Sequence, residues 1–189
     1  MTTKNILNIT SKKEFREWLS AHPDATECYL ILKRGKPTDP SIFYYIDAVE
    51  VALCFGWIDS TLKRIDGILY QRFTPRNKNS VWSELNKERV RRLIKLDLMT
   101  EAGLKVLPSD FYDEFKIDED VKEALIKEGV YETFLSFPSL YQRVRSYNVA
   151  FYKRKDKNAY NKALMHLIIE TRKGEMFGEW NDWGRLVDY

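Results

Sequence analysis

The chain has 189 residues with 31 Lys and Arg against 28 Asp and Glu, a net charge of +3. A charge so nearly cancelled argues against a protein that coats nucleic acid indiscriminately, and 8 glycines with 6 prolines exclude collagen-like and disordered classes. The length fits one domain, and the compositional oddity is aromatic: 5 Trp, 11 Tyr and 10 Phe.

Ser11 and Glu14 have the spacing of a capping box, and Phe15, Trp18 and Leu19 give the stripe of a short helix that ends near His22-Pro23. Cys28 to Leu32 is an apolar run of strand length. Gly35, Pro37 and Pro40 mark a loop. From Ser41, the residues Ile42, Tyr45, Ile46, Val49, Ala52 and Leu53 recur at helical spacing, with Gly56 as the C-terminal cap.

Trp57 to Ile65 and Ile68 to Thr74 read as strands joined by Asp66-Gly67, a dipeptide suited to the positive φ angles of a type I′ hairpin turn. Counting back two by two from Ile65 and Ile68 puts Ile58, Ser60, Leu62, Gln71 and Phe73 on the core face. Trp57, Asp59, Thr61, Lys63, Tyr70, Arg72 and Thr74 then share the outer face, with Asp59 near Arg72. A slip of one residue reverses the assignment.

Pro75 to Asn79 is a loop. Ser83 caps a helix carrying Leu85, Val90, Leu93 and Ile94, and a short helix around Leu104 to Leu107 stops at Pro108. Helices are expected over 118–128, with acidic residues at the start, then over a turn or two of 130–136, over 139–152 and over 158–172. The tail from Gly174 holds Phe177, Trp180 and Trp183 and is expected to dock on the body.

Strands fall in the first half and helices in the second, which points to an α+β fold. One domain is expected over 1–189. It has a motif-bearing half at 1–107, a helical half at 108–173 and a docked aromatic tail at 174–189. The start lacks a signal-peptide core, and no apolar run approaches the roughly 20 residues that span a bilayer. The expectation is a cytoplasmic protein without membrane insertion. Cys28 and Cys54 form no CxxC and read as buried, reduced thiols.

The near-zero charge is an average over blocks. Residues 72–95 carry eight basic and two acidic groups, residues 109–132 nine acidic and three basic, and residues 141–157 six basic and one acidic. Such blocks read as solvated faces that attract one another, or as a basic surface of Arg72, Arg76, Lys78 and Arg89 for an anion or single-stranded nucleic acid, with Phe73 and Trp82 suited to stacking. No nucleic-acid motif of diagnostic spacing is present, so nucleic acid is the less favoured partner.

No metal or cofactor is expected. His22, His166 and the two cysteines lack zinc-ligand spacing, and HExxH, GxSxG, GxxxxGK[ST] and GxGxxG are absent. Cys54 ends a helix, where the dipole raises a thiol pKa. What remains is the concentration of Trp57, Asp59, Arg72, Phe73, Arg76, Ser80, Trp82, Ser83 and Asn86. Arginine forks and tryptophan walls suit a site for a small anion or a partner segment. In the alternative reading Asp59 and Arg72 pair with each other and the tryptophans are packing residues. Binding without catalysis is the first expectation, and an enzyme with Asp59 as acid or base, supported by Arg72 or Arg76, is the second.

The segments ALCFGWIDS (Ala52 to Ser60), QRFTPR (Gln71 to Arg76), SVWSELN (Ser80 to Asn86) and MTEAGL (Met99 to Leu104) resemble, in order and spacing, the hallmarks of the YdeI-like, OmpD-associated family, also labelled a bacteriocin-protection family. The resemblance runs from Phe15 to Leu107 and more weakly beyond. Tyr141 and Tyr147 suit that family's tyrosine-rich helix, whereas Asn158-Ala159-Tyr160-Asn161-Lys162 replaces its Thr-Arg helix start. The resemblance implies a stress or envelope-defence role and brings no established reaction. The aromatic tail is a candidate contact for a second copy.

Overall fold

A computed structural model describes residues 5–77 and 80–189. Lys78 of the expected basic surface lies outside the described residues. The architecture is α+β, a three-stranded antiparallel sheet with helices. The chain divides into two compact units, Met1–Val81 with Arg89–Pro108, and Trp82–Glu88 with Ser109–Tyr189.

The first unit holds the sheet. Helix α1 (Lys12–Ala21) is capped by Ser11, whose Oγ accepts from the Glu14 N–H at 3.2 Å. The Glu14 carboxylate reaches the Thr10 N–H at 2.7 Å, one residue before the cap, so the capping box is displaced from the expected one. Strand β1 (Cys28–Leu30) is shorter than the apolar run, because Ile31 already faces solvent.

Helix α2 (Tyr45–Cys54) is buried at every position from Ile46 to Cys54. A helix apolar on all sides belongs inside, and its two buried carboxylates have partners. Asp47 accepts from the Tyr44 N–H at 3.0 Å, and Glu50 pairs with Arg92 at 2.8 Å. Helix α3 (Glu84–Lys95) contributes Val90 and Leu93 to the core of the first unit, while its residues up to Glu88 belong to the second. Ile94, expected on the buried stripe, is 36 % exposed.

Helix α4 (Glu101–Lys105) crosses the end of α2 at close range. A Cβ on Gly103 would lie 2.2 Å from the Cys54 carbonyl oxygen, so only glycine fits. Thr100 caps α4 and also donates its hydroxyl to that carbonyl at 2.6 Å. The threonine and glycine of MTEAGL are thus packing residues.

Strands β2 (Trp57–Ile65) and β3 (Ile68–Pro75) form the expected hairpin, with φ +48° at Asp66 and +82° at Gly67, in the sheet order β1-β3-β2. The register does not run straight. Leu62 pairs with Gln71, but Asp59 pairs with Phe73, so Ser60 and Thr61 together oppose Arg72. This β-bulge inserts one residue and reverses the faces before it. Trp57 and Asp59 therefore share a face with Phe73, and Ile58 goes to the other side, which overturns the straight-register expectation. Leu62, expected in the core, is 52 % exposed near the hairpin tip.

The second unit is built from α5 (Glu119–Lys127), α6 (Tyr131–Ser136), α7 (Ser139–Ala150), α8 (Lys157–Lys173) and the tail. Asp118 caps α5, and Gly174, at φ +72°, ends α8 in the left-handed conformation. Val121, Leu125, Phe134, Tyr141, Val149, Leu167 and Ile168 form one cluster, with Phe177 and Trp180 of the tail packed on it. Leu140, Val144 and Leu186 form another with Leu85. The charge blocks meet as ion pairs within this unit: Lys153 holds Asp118 at 3.0 Å and Asp120 at 2.7 Å, and Lys87 holds Asp110 at 2.8 Å. No described helix is long and apolar enough to cross a membrane.

Candidate functional site

The hairpin bulge decides what surrounds Asp59. On the inner face it meets the first turn of α2, and its carboxylate accepts a short hydrogen bond from the Tyr45 hydroxyl. Partial burial and the Asp59 charge push the Tyr45 phenol well above its ordinary value, so it remains a donor at neutral pH. The expected Asp59–Arg72 pair is absent for the same reason. Arg72 lies on the outer face and pairs with Glu27 at 2.8 Å. Partial burial raises the Glu27 pKa, but hydrogen bonds from Arg72 and Tyr29 outweigh it, and the net effect is to hold it below the usual carboxylate range.

Arg76 follows β3 directly. Its N–H donates to the Gly56 carbonyl at 2.8 Å, which fixes the chain as it leaves the sheet. Gly56 is itself confined, with φ +74° and the Ala102 carbonyl 2.9 Å from where a Cβ would be. The Arg76 side chain is buried, with Nη1 donating to the Val81 carbonyl at 3.2 Å. Burial pulls its guanidinium down to about 10, against the attraction of the Asp59 carboxylate. It is still a cation at neutral pH.

Arg34 stacks on the Tyr45 ring with Cζ 4.1 Å from the centroid, and its Nη2 donates to Gln71 Oε1 at 2.6 Å. Arg34 is exposed, in contrast to Arg76. Arg89 and Arg34 both oppose the rise in the Tyr45 pKa, so both charges reach the phenol. The arrangement is a Tyr45–Asp59 pair among three guanidinium groups, one of them buried and one at the surface.

Of the residues expected to form a site, Asp59 and Arg76 lie within electrostatic reach of each other. Trp57 and Phe73 are core: Trp57 packs edge-on against Trp18 at 6.0 Å, and Phe73 against Phe15 at 5.5 Å. Arg72 is on the opposite face. Ser80 closes its loop through Asn77, accepting from the Asn77 N–H at 3.1 Å. Trp82, Ser83 and Asn86 belong to the second unit, where Ser83 Oγ accepts from the Asn86 N–H at 3.2 Å as a helix cap.

Tyr45 and Arg34 are site residues that the sequence reading missed. Tyr45 is the one member of the α2 stripe with a polar atom, the only signal that set it apart. Burial raises both thiols, Cys28 to about 12, as expected of inert core cysteines. Among the described residues no group of His, Cys, Asp and Glu has metal-site geometry.

Residues 7–106 match the family described as Domain of unknown function (DUF8412). The chain belongs to that family. The DUF8412 segment spans a little over half of the chain and contains Arg34, Tyr45, Asp59, Arg76 and Arg89. No curated protein and no solved structure matches the chain.

Proposed function

We propose that the first unit binds a small anionic ligand at the Tyr45–Asp59 pair, through Arg34 at the rim and Arg76 beneath, as a binding protein rather than an enzyme. The observation that carries this reading is the convergence of positive charge on the pair: Arg34 stacks on the Tyr45 ring at 4.1 Å, Arg34 and Arg89 both act on its phenol, and Asp59 and the buried Arg76 attract each other. Low-dielectric surroundings strengthen the field of a buried cation, and the exposed fork of Arg34 suits a carboxylate or phosphate.

Catalysis is the weaker alternative because the proton chemistry is committed. Asp59 is occupied as an acceptor by Tyr45, and Tyr45 is held protonated. The Tyr45 phenol is therefore no ready base at neutral pH.

Kinship with the YdeI-like, OmpD-associated family, with its bacteriocin-protection and stress label, is part of this proposal, as is a cytoplasmic setting. The segment with the family match, 7–106, is the one that holds the four hallmark motifs.

Calorimetric titration of the full chain with inorganic phosphate and with malonate tests the site. Saturable binding is expected, at least tenfold weaker in Arg34→Met, a surface change that spares the fold. Equal binding by Arg34→Met and the parent chain would refute the assignment.

A further inference from the structure

The second unit contains an arginine whose hydrogen-bonding edge meets no acceptor. Arg145 projects from α7, and its Nε and Nη2 are shut off from solvent without a hydrogen-bond partner among the described residues. These nitrogens share one side of the guanidinium plane. Their N–H bonds run nearly parallel and match the two oxygens of a carboxylate or phosphate. Buried polar groups are nearly always satisfied, so a pair of orphaned charged donors on one edge calls for an explanation.

Aromatic rings and backbone crowd this guanidinium. The guanidinium lies over the Phe177 ring at 4.7 Å and near the Tyr141 ring at 5.7 Å. The backbone passes the guanidinium at Gly178, where a Cβ would fall 2.5 Å from Nη2, 3.0 Å from Cζ and 3.1 Å from Nη1. Aromatic faces attract the cation but offer no lone pairs along its N–H bonds. The nearby carboxylate of Glu179, on the same strap of chain, influences Arg145 without bonding to it.

We infer that the Nε–Nη2 edge of Arg145 is an oxyanion site for a carboxylate or phosphate group, with the Phe177–Gly178 strap as its cover. Seated, the strap gains ring contacts and leaves two charged donors unmade. Lifted, it admits an oxyanion that makes both bonds. Anion binding and strap docking therefore compete, and bound anion shifts the strap toward its open position. This site is independent of the one in the first unit.

Trp180 reports on the strap because it packs edge-on against Tyr141 at 5.7 Å. The full chain carrying Arg34→Met, which weakens the first-unit site at least tenfold, is titrated with inorganic phosphate and with acetate at constant ionic strength. Tryptophan fluorescence and acrylamide quenching are followed. A saturable change with rising quenching is expected, absent in Trp180→Phe and at least tenfold weaker in Arg145→Lys, which keeps the charge but loses the fork. Gly178→Ala cannot seat its Cβ against Nη2 and should bind several-fold more tightly. Tighter binding of phosphate or of acetate identifies the source of the oxyanion. An absent saturable change, an unaltered titration in Arg145→Lys, or no gain in Gly178→Ala would each overturn the site. So would a titration that appears only in Glu179→Gln, since the edge would then belong to the chain's own carboxylate.

Discussion

Each unit shields the same guanidinium edge of an arginine, Nε and Nη2, but in different surroundings. In the first, Arg76 lies within the attraction of the Asp59 carboxylate and donates to the Val81 carbonyl. In the second, Arg145 lies between aromatic rings with an unsatisfied edge. Burial lowers the pKa of both. The comparison teaches that burial alone does not say what an arginine contributes. A buried cation within the field of a carboxylate is favoured by that charge, and removing it leaves the carboxylate less compensated. A cation matched only by rings stands closer to break-even.

The largest effect should come from the first arginine. Arg76→Met removes a buried cation that attracts Asp59 and frees the Val81 carbonyl, and a loss of about 1–3 kcal/mol is expected. Urea denaturation of the variant measures it. A loss below about 1 kcal/mol would show that Asp59 and Arg76 are not coupled.

Tyr45→Phe should cost roughly 1–2 kcal/mol, because Asp59 loses a donor in a partly buried place. Its pH dependence is diagnostic. The folded-state pKa of Tyr45 lies above the unfolded value of about 10. Its stabilisation is therefore complete below pH 10 and is lost as pH rises through the folded pKa. The gap between wild type and Tyr45→Phe should stay constant through neutral pH and narrow in alkali.

On the outer face of the same sheet the Glu27–Arg72 pair is about one-third exposed and screened, so Glu27→Gln should cost no more than about 1 kcal/mol. The depressed Glu27 pKa makes this contribution present above pH 4.5 and lost as pH falls through the folded value. The stability curves of wild type and Glu27→Gln should converge in acid. Curves that remain parallel would mean that the pair carries no pH-dependent stability.

Much of the fold is legible because it is written locally. Ser11, Thr100 and Asp118 announce helix starts, Gly56 and Gly174 mark helix ends, and Asp66-Gly67 specifies the hairpin turn. The site is legible only in part, since it depends on a long-range event without a local signature. Nothing in Ser60-Thr61 marks a bulge, yet that extra residue turns Trp57 and Asp59 inward and separates Asp59 from Arg72. Arg72 finds Glu27 across 45 positions, and Arg34 finds Gln71 across 37. Such pairings follow from strand order, which no local pattern encodes. Tyr45 was obscured because its ring fits the apolar stripe while its hydroxyl does the polar work.

The smallest expected change is the sharpest test of the contrast between the arginines. Arg145→Met fills a similar volume with an apolar chain. It forgoes ring attraction of about 0.5–2 kcal/mol and removes buried, unmade donors that cost about 1–3 kcal/mol. The opposing effects nearly cancel, so stability within about 1 kcal/mol of wild type is expected, on either side. Arg76→Met measured beside it should fall well below both. If instead the two methionine variants lose equally, then the rings around Arg145 hold a cation as firmly as Asp59 and the Val81 carbonyl hold theirs. The strap over Arg145 would then be a permanent wall, because an oxyanion would have no unsatisfied charge to recruit it.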